Sequence, residues 1–324
     1  MKHLKSLNTK AAAFAVATAF AFPAVAQFPS GPIEFVIPFG AGGGADIEGR
    51  LLATEMGKIL GVAVVPINKP GAGGAVTYTY VKNSKPDGHT IAWNSTSILT
   101  TTNIGNVDYD HSALDHIGRV EFQPMPFAVK ADAPWKTLGD FAADCKKNPG
   151  KYKVANSTAG SATHLAAIAL MNAIGCDVIH LPAGVKRRNA TVLSGEAQAM
   201  IAPLGAAVNL KKAKKIRVLA MPTESRSELM PDVPTAKELG YNAVLELFRG
   251  LSVAKGTPKE IKDKLADAMF KAANSAAFVK LSKKSGFTIA PMKVDAFEAY
   301  LKNENVNVVN IMKAAGLYQS KKKK

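Results

Sequence analysis

Nine residues, Pro38-Phe39-Gly40-Ala41-Gly42-Gly43-Gly44-Ala45-Asp46, constrain this chain more than any other segment. They lie between an apolar run, Ile33 to Ile37, and a stretch where Ile47, Leu51, Leu52, Met56, Ile59 and Leu60 recur at helical spacing. The glycines therefore occupy a strand-to-helix corner. With no Cβ atoms in the way and the positive end of a helix dipole behind it, such a corner holds a carboxylate or phosphate on backbone N–H groups alone. Nucleotide loops do not fit it. No Gly-Lys-Ser or Gly-Lys-Thr follows, and counted from Gly40 or Gly42 the third glycine of a dinucleotide fingerprint falls on Ala45 or Ile47.

The N-terminus narrows the class of ligand. Lys2, His3, Lys5 and Lys10 precede the apolar run Ala11 to Phe22, and Ala24-Val25-Ala26 offers small residues for cleavage. This predicts a signal peptide over residues 1–26, cleaved after Ala26, and a soluble protein of the bacterial periplasm. About 298 residues then remain, enough for two domains. The net charge of +16 falls to +13 without Lys2, Lys5 and Lys10. That balance favours anionic partners, but no aromatic-interleaved basic motif accompanies it, so nucleic acid is not expected. Cys145 and Cys176 are the two cysteines. An oxidising compartment favours a structural disulfide between them; the alternative is two buried thiols too far apart to join.

Strand-like and helical patterns alternate along the chain, which is α/β grammar. Ile33 to Ile37, Val62 to Ile67, Thr90 to Trp93, Phe127 to Lys130, Tyr152 to Ala155, Val178 to Leu181, Ala199 to Ile201 and Arg217 to Ala220 read as strands. Ile47 to Leu60, Leu138 to Lys147, Thr163 to Ile174, Arg188 to Ser194, Lys259 to Ala273 and Val294 to Ala315 read as helices. A second corner, Asn156-Ser157-Thr158-Ala159-Gly160-Ser161-Ala162-Thr163-His164, follows a strand and opens a helix with Ser161 placed as its N-cap. Two anion corners in two halves imply a cleft closed from both sides.

These residues carry a family resemblance. The chain resembles the substrate-binding proteins of the tripartite tricarboxylate transporters, the Bug family of periplasmic receptors, over nearly all of its mature length. The resemblance starts at Gln27-Phe28-Pro29-Ser30 and runs through the glycine corner, Asn68-Lys69-Pro70-Gly71-Ala72-Gly73-Gly74, Pro86-Asp87-Gly88-His89-Thr90, Asn148-Pro149-Gly150-Lys151 and Ser161-Ala162-Thr163-His164-Leu165. Leu229-Met230-Pro231-Asp232-Val233-Pro234-Thr235, Phe248-Arg249-Gly250-Leu251 and Ala254-Lys255-Gly256-Thr257-Pro258 complete it. The order and spacing of the pieces make it specific. It implies a two-lobed flytrap, each lobe a mostly parallel sheet flanked by helices, with two strands crossing the hinge near Pro126 to Ala131 and Leu245 to Val253. Residues 27–124 plus 247–324 would form lobe 1 and residues 125–246 lobe 2. It also implies ligand carboxylates met mainly by backbone amides and water. Phe39, Gly40, Ala41, Gly42, Gly43 and Asp46 would line lobe 1, and Ser157, Thr158, Ala159, Gly160, Ser161 and His164 lobe 2.

The chain departs from the family pattern after its His-x-Pro strand, where the usual Tyr-Lys-Gly is Ala183-Gly184-Val185, followed by Lys186-Arg187-Arg188. A usual aspartate is replaced by Ala202, next to Pro203. A roomier, less acidic pocket follows, suited to a larger or more anionic acid, with Ala183, Arg187 and Pro203 among its candidate residues. Arg187 and Arg188 either face the ligand or belong to a solvated helix face. Arg249, in an apolar crossing strand, either meets a ligand carboxylate or pairs with a carboxylate of the hinge. His164 hydrogen-bonds either a ligand or its loop. Asp46 orients the glycine loop, since a carboxylate facing an anion repels it.

No G-x-S-x-G elbow, H-E-x-x-H helix or histidine cluster supports a hydrolase. The expectation is a monomeric, cofactor-free, non-enzymatic receptor. It captures an organic carboxylate and delivers it to a two-component membrane permease, the partner being implied by the resemblance alone. A receptor for a membrane signalling partner would need the same cleft.

Overall fold

The computed structural model describes residues 28–322, so the expected signal segment lies outside the described residues. In chain order the first sheet's elements are β1 (Ile33–Ile37), α1 (Gly44–Leu60), β2 (Val64–Asn68), α2 (Ala75–Lys82), β3 (Thr90–Ser95), α3 (Ser97–Ile104) and β4 (Leu114–Gln123). The second sheet's follow: β5 (Phe127–Lys130), α4 (Leu138–Lys147), β6 (Lys153–Asn156), α5 (Ala162–Ile174), β7 (Ile179–Pro182), α6 (Gly184–Ser194), β8 (Ala199–Ile201), α7 (Leu204–Lys212) and β9 (Ile216–Ala220). The chain then returns through β10 (Leu247–Ala254), α8 (Lys259–Ala273), α9 (Ala276–Ser285), β11 (Thr288–Met292) and α10 (Val294–Ala314).

Two sheets result, with orders β11-β4-β10-β3-β1-β2 and β7-β6-β8-β5-β9. In the first, β2, β3 and β4 run with β1 while β10 and β11 oppose it. In the second, β7, β8 and β9 run with β6 and β5 opposes it. The sheets are therefore mixed: most strands share one direction, but β10 and β5, which arrive from across the hinge, enter antiparallel. With β11 left aside, the second sheet read in reverse repeats the order of the first, β6 standing in the position of β1 and β5 in that of β10.

This topology fixes where a ligand can sit. β4 leaves the first sheet at the end where β1 stops, and β5 enters the second at the end where β6 stops. β9 and β10 repeat the arrangement on the way back. Both crossings and both strand-to-helix corners thus lie between the facing ends of the two sheets, the carboxyl ends of β1 and β6, where open α/β sheets bind ligands.

Packing holds the arrangement together. One hydrophobic cluster includes Val36, Phe248 and Phe297 together with Phe127, Phe141 and Leu165, so the core passes from one lobe into the other. α10 packs on α3 and also on α5. Gly118 and Gly250 face each other where β4 and β10 shift register; a Cβ on Gly250 would collide with the Gly118 carbonyl. In the second lobe Cys145 and Cys176 are joined, with Cα atoms 5.7 Å apart, tying the end of α4 to the turn after α5. Thr137 and Asp140 start α4 with a reciprocal capping box.

Candidate functional site

The first corner is built around Asp46. Its carboxylate accepts the Gly42 N–H at 2.9 Å, Arg50 Nε at 2.8 Å and Asn68 Nδ2 at 2.9 Å, while the same Asn68 amide donates to the Phe39 carbonyl. Burial alone raises the Asp46 carboxyl, but the Gly42, Asn68 and Arg50 hydrogen bonds and the Arg50 charge outweigh it and hold it below its ordinary value. Asp46 therefore orients the loop. Gly42 needs its glycine for a φ of 80°. A Cβ on Gly40 or Gly42 would meet no protein atom within 4 Å. Among the described residues the Ala41, Gly43, Gly44 and Ala45 amides, at and just before the start of α1, donate to no protein acceptor.

The second corner holds its amides differently. Ser157 N–H donates to Thr163 Oγ1 at 2.9 Å, Thr158 N–H to Ser161 Oγ at 3.3 Å, and Gly160 N–H to His164 Nδ1 at 2.9 Å. Ser161 also caps α5 by accepting the His164 N–H. His164 Nδ1 is thus an acceptor and the ring proton sits on Nε2. Burial, then the neighbouring His180, pushes its pKa down to about 4, so the ring is neutral at neutral pH. Among the described residues the Ala159, Ala162 and Thr163 amides donate to no protein acceptor, and beside them stand Ser157 Oγ, Thr163 Oγ1 and the buried Arg188, which donates to Ser157. Ala183 and Pro203 stand at the same sheet end, Ala183 just past β7 and Pro203 just past β8; Ala159 lies in the loop between Thr158 and Gly160.

The three candidate arginines have different surroundings. Arg187 is turned outward, its side chain 73% exposed and 3.6 Å from Glu196. Arg249 is buried in β10, with Nε 2.5 Å from Glu48 on α1 and 3.4 Å from Glu121 on β4. Gln123 donates to the same Glu48. Burial and the nearby Glu48 carboxylate raise the Glu121 carboxyl well above its usual range, and the Arg249 charge opposes the rise. Of the two readings of Arg249, the internal ion pair is the one present. Arg188, one residue along, is the buried cation at the second corner: it is 3% exposed and its Nη1 donates to Ser157 Oγ at 2.8 Å.

Sequence reasoning did not single out Ser95, Ser97 or Asn156. Ser95 Oγ donates to Ser97 Oγ, which also bonds the Tyr78 hydroxyl, at the carboxyl end of β3, and Asn156 is fully buried at the end of β6. A small polar residue closing a buried strand at a corner was the available signal. Separately, a groove of about 650 Å³ runs along the outer face of α2, lined by Val76, Tyr80 and Asn106, away from both corners.

Two lobes joined by two crossings, with a strand-to-helix corner on each facing edge, define a periplasmic binding protein of the flytrap type. Residues 49–317 match the model of the tripartite tricarboxylate transporter family receptor, and the chain belongs to that family. It is 35% identical over 266 residues to the UPF0065 protein in the gbd 5' region of Cupriavidus necator, covering 81% of each chain. The structure of the periplasmic binding protein BugD aligns with a TM-score of 0.79 at 29% identity, covering 90% of this chain and 99% of that one. MatC from Rhodopseudomonas palustris, solved with bound malate, shares the fold with a TM-score of 0.77 at 24% identity, covering 88% of this chain and 99% of MatC.

Proposed function

We propose that this protein is a periplasmic receptor that takes an organic acid between its lobes and passes it to a two-component membrane permease. The observation that carries the reading is the glycine corner: four unpartnered amides at a helix start, with no side chain of the protein over Gly40 or Gly42. Family membership and the malate bound by a protein of the same fold support a carboxylate as the ligand. In this reading lobe 1 comprises residues 27–124 and 247–324 and lobe 2 residues 125–246, and the leader 1–26 directs export. A ligand that binds the closed arrangement more tightly shifts the lobes toward it, and the closed shape is what the permease reads.

The test is thermal unfolding of the purified protein against malate, succinate, adipate, citrate, phthalate, benzoate and glutamate. A ligand at about a hundredfold excess over its Kd adds roughly 2.7 kcal/mol, which raises the midpoint by a few degrees. A selective rise names the acid class. No rise with any acid, repeated after refolding to strip co-purified ligand, would overturn the reading.

A further inference from the structure

Buried arginines in proteins have carboxylate partners, because an uncompensated guanidinium away from water is costly. Arg249 follows the rule with Glu48. Arg188 does not. It is 3% exposed, and among the described residues no carboxylate lies within 4.0 Å of it. Nη1 donates to Ser157 Oγ, and Nε has no protein acceptor. Burial draws its pKa down to about 10. The next side chain along the corner repeats the pattern. Asn156, fully buried immediately before Ser157, leaves both its amide nitrogen and its amide oxygen without a partner.

We infer that Arg188 is the anion anchor of the second lobe, where it meets an acid group of the solute against Ser157 Oγ. This deepens the receptor reading and rests on it. The two corners then work by different chemistry. The first offers backbone amides and no cation, because Arg50 is taken up by Asp46. The second commits the Ser157, Thr158 and Gly160 amides to Thr163, Ser161 and His164, leaves the Ala159, Ala162 and Thr163 amides without a protein acceptor, and adds a buried cation beside them. Thr163 Oγ1 donates to Ser157 Oγ at 3.1 Å, and Arg188 donates to that same hydroxyl at 2.8 Å. With two donors already on it, the Ser157 hydroxyl turns its own proton outward, toward the same acid group. The solute, by supplying the charge the protein withholds, is the missing counter-ion. An analogue lacking the second acid group leaves Arg188 unpaired and binds weakly.

The test compares wild type with Arg188→Met and Arg188→Lys, reading both the ligand-free unfolding midpoint and affinity by calorimetry. Malate and adipate serve as probes, with the monoacids lactate and hexanoate as partners lacking one acid group. Arg188→Met should lose at least about thirtyfold in diacid affinity, the low end for removing one partner of a desolvated ion pair. Arg188→Lys should fall between the two. The ligand-free midpoint of Arg188→Met should equal or exceed wild type, since a buried unpaired charge has been removed. Diacid affinity in Arg188→Met within about threefold of wild type would overturn the proposal, as would a ligand-free midpoint several degrees lower with affinity kept, the mark of a structural residue. Silence of the wild type toward every acid would instead sink the receptor reading, and this proposal with it.

Discussion

Gly43 adopts φ −83° and ψ 169°, a conformation open to any residue, and a Cβ there would meet only the Gly40 carbonyl at 3.7 Å. Packing does not require glycine at this position, whereas an anion approaching the amides does. Gly43→Val is therefore expected to change stability by no more than about 0.5 kcal/mol while abolishing acid binding, read by denaturant unfolding and calorimetry on the same preparation. Retained affinity would move the site elsewhere. Arg249 makes the opposite case. Removing it strands Glu48 beside Glu121 in the core, so Arg249→Ala should lose about 3–5 kcal/mol in urea unfolding; an unchanged midpoint would contradict the ion pair. The sequence marked Arg249 as needing a partner but could not choose between a ligand and a carboxylate. Glu48 and Glu121 are 201 and 128 residues away, on α1 and β4, and only the β10 register brings them together. The same limit hid Arg188: in a run of three basic residues nothing local tells the buried one from the solvated ones.

At the scale of elements, short strands made mostly of apolar residues were legible to the residue, as with β1, β5 and β8. β4 was not, because Asp115, His116, Arg119 and Glu121 interrupt its apolar pattern; three of these are buried through partners on β10 and α8. α3 escaped for a related reason: Ser97, Thr100, Thr101 and Thr102 weaken its helix propensity, and it is buried nearly all round, which removes the one-sided periodicity a sequence reader uses. The proline in β11 masked an edge strand. The disulfide is the element-scale device of lobe 2, closing a separation of 31 residues. Replacing both cysteines with alanine should cost roughly 2–4 kcal/mol, seen as a lower midpoint. A variant as stable as wild type would mean that the core around Phe141, Leu165 and Met171 suffices by itself.

Across the whole molecule, α10 and the second crossing share a pair of half-buried acids. Burial pushes Glu246 and Glu304 up to about 7, and the Glu246 charge adds to the rise at Glu304. Arg119 opposes the rise at Glu246 and Asn307 that at Glu304, while Glu224 adds to it at Glu246. Between about 4.5 and 7 the folded chain binds more protons than the unfolded chain, so these groups make stability fall as pH rises through that window. Glu304→Gln removes one of them, and its midpoint should gain on wild type from pH 5 to pH 8; a pH-independent difference would contradict the coupling. The two-lobed outline itself was legible because a corner motif recurs in each half and the family resemblance implies a flytrap. The distribution of charge between the corners was not, since it depends on which of three adjacent basic side chains the fold buries. We propose that one solute is held by both corners at once. Hydrogen exchange read by mass spectrometry, with and without the acid that most raises the midpoint, tests it most directly. Protection is predicted in residues 39–46 and 157–164 together; protection confined to one lobe, or to the α2 groove around Val76 and Tyr80, would contradict it.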